Sequence, residues 1–226
     1  MAHKKKLVIL TGAGISQDSG IKTFRDEGGL WEGHPIEEVA TPQAYRKNPQ
    51  LVLDFYNARR RQLQTVEPNA AHYALKSLEK KYTVFIITQN VDNLHERAGS
   101  SNILHLHGEL NKVRSTINEN EVLEWYGDLT LDDRDSQNHP LRPHIVWFGE
   151  AVPNIEKAIQ ITSEADILII IGTSLQVYPA ANLLHFTPKD TSIYLIDPNP
   201  IALDGVTIIK AHASKGVPLL VHQLLS

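Results

Sequence analysis

Four short runs of unbroken apolar residues limit what this chain can fold into. They are KLVILT (6–11), YTVFIIT (82–88), DILIIIG (166–172) and SIYLID (192–197). A strand with one wet face alternates apolar and polar side chains. A continuous run of this length belongs to a strand covered on both faces, as in a parallel sheet. Helical signals fill the gaps between the runs. NPQLVLDFYNARRRQL (48–63) offers Asn48 as a cap and Pro49 in the first turn. AHYALKSLEKK (71–81) repeats apolar residues at Ala71, Ala74, Leu75 and Leu78, a helical period, and NIEKAIQITSEA (154–165) is a third such stretch. Strands alternating with helices predict a doubly wound α/β fold.

Residues 111–143 break this alternation. They are polar and acidic and hold no long periodic element, which predicts a small inserted module. Residues 1–110 and 144–226 are then the main domain, with a helical insertion at 28–70 packing beside the module. The net charge of −4 argues against a nucleic-acid grip. The apolar run after the basic start is about five residues, too short for a signal-peptide core or a membrane span. The expectation is a cytoplasmic protein that touches neither membrane nor nucleic acid. There are no cysteines, which excludes disulfides, thiolate metal sites and a Cys nucleophile. Nothing in the sequence sets an oligomeric state.

Each apolar run ends in small or polar residues. Gly12 and Gly14 follow the first, where backbone is free to approach a phosphate. This is not an ordinary dehydrogenase fingerprint, because Gln17 stands where a third Gly or Ala belongs. No acidic residue ends a second strand about 20 residues on, as a ribose clamp requires. The loop continues through Ser16, Ser19, Thr23, Arg25 and Asp26. After the second run, Gln89, Asn90 and Asp92 offer hydrogen bonds and one negative charge to a polar ligand, although Asp92 also suits the cap of a following helix. In NILHLHGEL (102–110), an extended chain puts His105 and His107 on one side and Leu104 and Leu106 on the other. A His at a strand end suits a general base. No further ligands lie close by in sequence, so no metal is expected there. Gly172, Thr173 and Ser174 close the third run and Asp197 the fourth. Open α/β sheets bind ligands at this carboxyl edge.

Taken in order, GAGIS, SGIKTFRD, TQNVDNLHERAG, LHGEL, RPHIVWFGE and GTSLQVYPAA resemble the sirtuins, the NAD-dependent protein-lysine deacylases, over nearly the whole chain. The resemblance implies a large Rossmann-like domain and a small module with the active site between them. It implies that an acyl oxygen attacks C1′ of the nicotinamide ribose, nicotinamide leaves, and the motif His activates a ribose hydroxyl that accepts the acyl group. Free lysine, nicotinamide and O-acyl-ADP-ribose are the implied products. By motif, His107 is the base, and Asn90 and Asp92, beside Gln89, orient the nicotinamide end. Gly12, Ala13, Gly14, Ile15, Phe24 and Arg25 hold the pyrophosphate and shield the reacting centre. Gly172, Thr173 and Ser174 contact the adenosine half, with Leu195, Ile196, Asp197 and Ala213 as looser matches. Val146 and Phe148 fall on the peptide-binding side. Tyr56 and Arg59, at i and i+3 on one helix face, resemble the pair of the branch that accepts acidic acyl groups such as succinyl besides acetyl. Without the resemblance, Arg59, Arg60 and Arg61 read as a solvated basic face.

Most sirtuins carry a structural zinc on four cysteines. Here Ser115 and Asn118 stand about where the first pair falls, and neither is a competent zinc ligand. No zinc is expected. VLEWYGDLTL (122–131) offers Val122, Leu123, Trp125, Tyr126, Leu129 and Leu131 as a small apolar core to replace it. Two other functions compete: an NAD glycohydrolase or ADP-ribosyltransferase on the same fold, which needs no acyl-lysine tunnel, and a non-catalytic NAD-binding module.

Overall fold

All four apolar runs are strands of one sheet. The computed structural model describes residues 4–22, 30–31 and 33–226, so Phe24 and Arg25 lie outside the described residues. The chain begins with β1 (Lys6–Thr11) and a two-residue antiparallel pair, β2 (Leu30–Trp31) and β3 (His34–Pro35). Next come α1 (Ile36–Val39), α2 (Pro42–Lys47), α3 (Pro49–Leu63) and α4 (Ala70–Ser77). β4 (Thr83–Thr88), α5 (Leu94–Arg97), β5 (Ile103–His105), β6 (Gly108–Ser115), β7 (Val122–Glu124) and β8 (Leu141–Ile145) follow. The last elements are α6 (Ile155–Thr162), β9 (Ile167–Ile171), β10 (Ser192–Asp197), β11 (Val206–Lys210) and α7 (Ala213–Leu225).

The main sheet has the order β11-β10-β9-β1-β4-β5, with every neighbouring pair parallel. The chain steps outward from β1 through β4 to β5, then returns to β9 on the other side of β1. That is the doubly wound, Rossmann-like order, and its switch point lies between β1 and β9. The unbroken apolarity of β1 now has its cause. Leu7 and Ile9 face a core with Leu75, Leu78, Val217 and Leu220, whereas Val8 and Leu10 face a second core with Ala158, Ile161 and Leu183. None of the four β1 residues is more than 1% exposed. Burying each contributes roughly 1.5–3 kcal/mol. Asn48 caps α3, its side-chain oxygen accepting from the Leu51 amide at 3.2 Å, with Pro49 in the first turn.

The segment after β5 forms a three-stranded antiparallel sheet, β7-β6-β8. Its core corrects the expectation. Val122, Leu123, Tyr126 and Leu131 are exposed, and of the six residues expected only Leu129 is fully buried, with Trp125 packed at the edge. The actual cluster joins Leu53 of α3, Val113 of β6, Leu129 and Leu141 of β8. β7 is an edge strand, and α3 crosses the sheet to supply the apolar cover that the module does not supply itself. Beyond that core sits a polar knot on the Asp135 carboxylate. One oxygen accepts from Ser115 Oγ at 2.5 Å and contacts His139 Nδ1 at 3.2 Å; the other accepts from the amides of Gln137 at 2.9 Å and His139 at 2.7 Å. Ser115 Oγ in turn accepts from the amides of Ile117 at 3.1 Å and Asn118 at 3.0 Å.

Candidate active site

A cavity of about 680 Å³ opens at the carboxyl ends of the central strands, on the size scale of a cofactor pocket. Gly12, Ala13 and Gly14 after β1, Gln89, Asn90 and Asp92 after β4, and Gly172, Thr173 and Ser174 after β9 all line it. So do His107, Tyr56, Arg59, Val146, Phe148, Leu195 and Asp197. Three residues named from the sequence do not: Ile15, Ile196 and Ala213 belong to the apolar core.

The cavity floor is a contact between glycines. Gly12 donates its amide to Ile171 O at 3.0 Å, and Gly14 to Gly172 O at 2.9 Å. A Cβ on Gly14 would lie 2.6 Å from Gly172 Cα, and Gly172 itself has a φ of +58°, a conformation that favours glycine. The missing third small residue also has a physical reason. After Gly12 the chain makes two 3-10 turns, Ala13–Ile15 and Gln17–Ser19, instead of a long helix packed on the strand. With no close helix–strand contact to make there, Gln17 is tolerated and lines the cavity.

Behind the floor runs a buried polar web. Asn90 Nδ2 donates to Gly12 O at 3.2 Å and to Ser16 Oγ at 3.3 Å. Ser16 Oγ donates to Asp92 Oδ2 at 2.9 Å, while Asp92 Oδ1 accepts from the Leu94 amide at 3.1 Å. Asp92 therefore braces the entry to α5 through the Leu94 amide and holds the glycine loop as well. Burial pushes its carboxyl up, against the opposing hydrogen bonds from Leu94 and Ser16. Gln89 Nε2 reaches Thr173 Oγ1 at 3.1 Å and ties the β4 loop to the β9 loop. Ser16 was only one of several polar loop residues in the sequence. Its position two residues after Gly14 was the available signal.

His107 Nδ1 lies 3.0 Å from Gln89 O. A carbonyl only accepts, so Nδ1 carries the proton and Nε2 keeps its lone pair. Burial lowers the His107 pKa, partly offset by this hydrogen bond. The ring is thus a neutral base at pH 7. At the far end, Tyr56 is fully buried, and Trp147 Nε1 donates to its hydroxyl at 3.1 Å. The Arg142 guanidinium stacks 3.4 Å from the Trp147 ring centroid and pairs with Glu150 at 2.6 Å. Trp147 went unnamed in the sequence although it sits between Val146 and Phe148. The three consecutive arginines do not form a solvated face. Arg59 lines the cavity with its guanidinium 4.7 Å from the Phe55 ring centroid. Arg60 is buried and donates to Leu110 O at 2.8 Å, and Arg61 pairs with Asp128 at 2.6 Å.

The Sir2 family pattern matches residues 12–179, three quarters of the chain and all of the glycine, Asn-Asp and His elements of the cleft. The chain belongs to the Sir2 family. Among Sir2 relatives, the NAD-dependent protein deacylase of Helicobacter pylori is 65% identical over 194 residues, covering 86% of this chain and 85% of that protein. The NAD-dependent protein deacylase of Bacteroides thetaiotaomicron is 52% identical over 230 residues, covering 98% of each. A solved Sir2 homologue in complex with NAD superposes with a TM-score of 0.89 at 39% identity, over 98% of this chain and 90% of that one. A Sir2 protein bound to acetylated peptide gives 0.81 at 28% identity, over 97% and 93%.

Proposed function

We propose that this Sir2 protein is an NAD-dependent protein-lysine deacylase, acting on acetyl-lysine, succinyl-lysine or both. One observation carries the reading: a neutral histidine with a free Nε2 lines the same cavity as a glycine floor without side chains and a Tyr56–Arg59 pair. The floor fits a dinucleotide, since its backbone is bare where a pyrophosphate needs close approach. When bound, NAD supplies the ribose carbon that the acyl oxygen attacks, with nicotinamide as the leaving group. Asn90 and Asp92 position the ribose end, and His107 Nε2 takes the ribose hydroxyl proton. The adenosine half would lie against Gly172, Thr173, Ser174, Leu195 and Asp197, and the acyl-lysine would enter past Val146 and Phe148. The apolar walls keep water from the developing cation. Among the described residues no helix is long and apolar enough to cross a membrane.

Acetyl- and succinyl-lysine peptides, each incubated with and without NAD, test this directly. O-acyl-ADP-ribose is the expected product, formed only with both peptide and NAD. Nicotinamide released without peptide would point to a glycohydrolase. In the same assay Arg59→Met is expected to cut succinyl turnover roughly ten- to hundred-fold more than acetyl turnover, because a hydrogen bond to a charged group is worth about 1.5–3 kcal/mol. Equal losses would remove Arg59 from acyl recognition.

The proposal extends to a small module that holds no zinc. Zinc needs donors with spare lone pairs, but Ser115 Oγ is occupied by two amides and both Asp135 oxygens are engaged. Asp135 instead gathers the loops around its own charge. Burial pushes its carboxyl up, but the bonds from Ser115, His139 and Gln137 outweigh that and hold it at about 2. A depressed carboxyl pKa stabilises the fold fully above the ordinary value of about 4. That contribution fades as pH falls from there toward 2. A chelator should leave the melting temperature unchanged, whereas Asp135→Ala should lower it by several degrees at pH 7. One zinc per chain by elemental analysis would overturn the reading.

A further inference from the structure

We propose that Glu96 and His105 form a positioning pair that holds Asn90 in the cleft by its backbone carbonyl, with His105 acting as an imidazolium. The inference rests on the reading of Asn90 as an NAD contact. It starts from the loop after β4, where four successive carbonyls are each claimed by the β5–β6 segment. Thr88 O accepts from the Leu106 amide at 2.9 Å and Val91 O from the Leu110 amide at 2.8 Å. The two carbonyls between them are taken by side chains: Gln89 O by His107 Nδ1 at 3.0 Å, and Asn90 O by His105 Nδ1 at 3.0 Å. The histidine-x-histidine spacing is thus a two-pronged grip on the residues that line the cavity. Only one prong reaches the cavity itself, for His107 lines it and His105 does not.

The second ring nitrogen separates the two histidines. His105 Nε2 lies 2.8 Å from Glu96 Oε1. Both neighbours of the ring, a carbonyl and a carboxylate, are acceptors. A neutral imidazole has one N–H and would turn a lone pair on one of them, whereas the imidazolium donates to both. Glu96 stands on α5, whose first residue, Leu94, donates its amide to Asp92. The pair therefore closes a ring from the Asn90 loop through α5 to β5. The other charged or titratable groups around His105 are Asp92 in the loop, His95 on α5, and Glu109 on β6, which Lys112 holds at 2.8 Å. Burial opposes a charge on His105, yet the bond to Glu96 outweighs it and raises the pKa above the ordinary histidine value.

Two histidines on adjacent outward positions are thus held in opposite states, His107 neutral and His105 charged. The competent form fills only the window between a lowered and a raised pKa. Activity rises on the acid side as His107 loses its proton. It falls on the alkaline side as His105 loses its own and releases the Asn90 carbonyl.

The test is kcat/KM for NAD against pH, with an acetyl-lysine peptide, in the wild type and in Glu96→Gln. Glu96 is 38% exposed in its side chain, so the isosteric change leaves folding intact. The alkaline limb is expected to move down by about one pH unit as the carboxylate is lost, with the acid limb unmoved. NMR of ring-labelled histidine should show both His105 nitrogens protonated at pH 7 in the wild type. A neutral His105 at pH 7, or an alkaline limb unmoved in Glu96→Gln, overturns the proposal. Asn90→Ala separates the two levels: wild-type NAD KM and turnover in that variant would sink the reading of the cleft, while an inactive Asn90→Ala beside an unmoved Glu96→Gln limb would sink this pair alone.

Discussion

His107→Ala is expected to retain NAD binding and lose deacylation by about 10²–10⁴-fold, the usual contribution of a positioned general base. The separation follows from where the ring sits. Its Nδ1 is committed to the Gln89 carbonyl, so the imidazole reaches the cavity through the opposite nitrogen. The dinucleotide floor is built from other strands, by Gly12, Gly14 and Gly172. Removing the imidazole deletes a proton acceptor without disturbing that floor. Because burial lowers the His107 pKa, the wild-type base stays unprotonated to lower pH than an ordinary histidine would, and is lost as pH falls. Calorimetric titration with NAD, beside a peptide assay for O-acyl-ADP-ribose, measures both halves. Wild-type turnover in the variant would take His107 out of the reaction, and loss of NAD binding would make it a structural member of the floor.

Parts of the fold were legible because the forces that set them are local. Continuous runs such as that of β1 mark strands with two covered faces. Asn48 followed by Pro49 marks a helix start whatever lies around it. Elements that depend on distant partners were not legible. β11 is an edge strand with Thr207 and Ile208 exposed, so it carries no unbroken apolar run. α7 contains Gly216 and Pro218, which read as breakers. Gly216 is needed there, since a Cβ would lie 2.7 Å from Ile196 Cγ2 on the sheet. The module's core was misassigned for the same reason. Leu53, which covers it, lies far upstream on α3, and no pattern within residues 122–131 shows which of their apolar side chains find cover.

The site divides in the same way. Its residues were legible where a strand end placed them on the carboxyl edge, as with Gly12, Asn90, His107 and Gly172. Bonds that cross from one loop to another were hidden. Ser16 meets Asp92 across 76 positions and Trp147 meets Tyr56 across 91. Chemistry marks such residues as polar or aromatic, but only the tertiary fold pairs them. His105 is the sharpest case. Beside His107 it looks like a second candidate base, and its two acceptor partners, brought from α5 and the β4 loop, give it a different task.

The contact between Gly14 and Gly172 predicts the other large effect, and it falls on folding and on NAD together. Gly14→Ala should lower stability by about 1–3 kcal/mol, the cost of forcing a methyl group into a packed site, and weaken NAD binding at least about tenfold. The new methyl carbon would stand 2.6 Å from Gly172 Cα and 3.0 Å from Gly172 O. Both are backbone atoms, so no side chain can rotate away to make room. Relief requires the β1 and β9 loops to part, which breaks the 2.9 Å bond from Gly14 N to Gly172 O and tilts the floor on which a pyrophosphate would rest. Gly127→Ala is the control. A Cβ there meets nothing within 4 Å, and its φ lies outside the range that favours glycine, so stability should stay within about 0.5 kcal/mol of wild type. Urea denaturation and NAD titration of both variants decide the matter. A Gly14→Ala protein that unfolds and binds NAD like the wild type would mean that the two loops have room to spare, and the floor would lose its role as a close-packed seat for the dinucleotide.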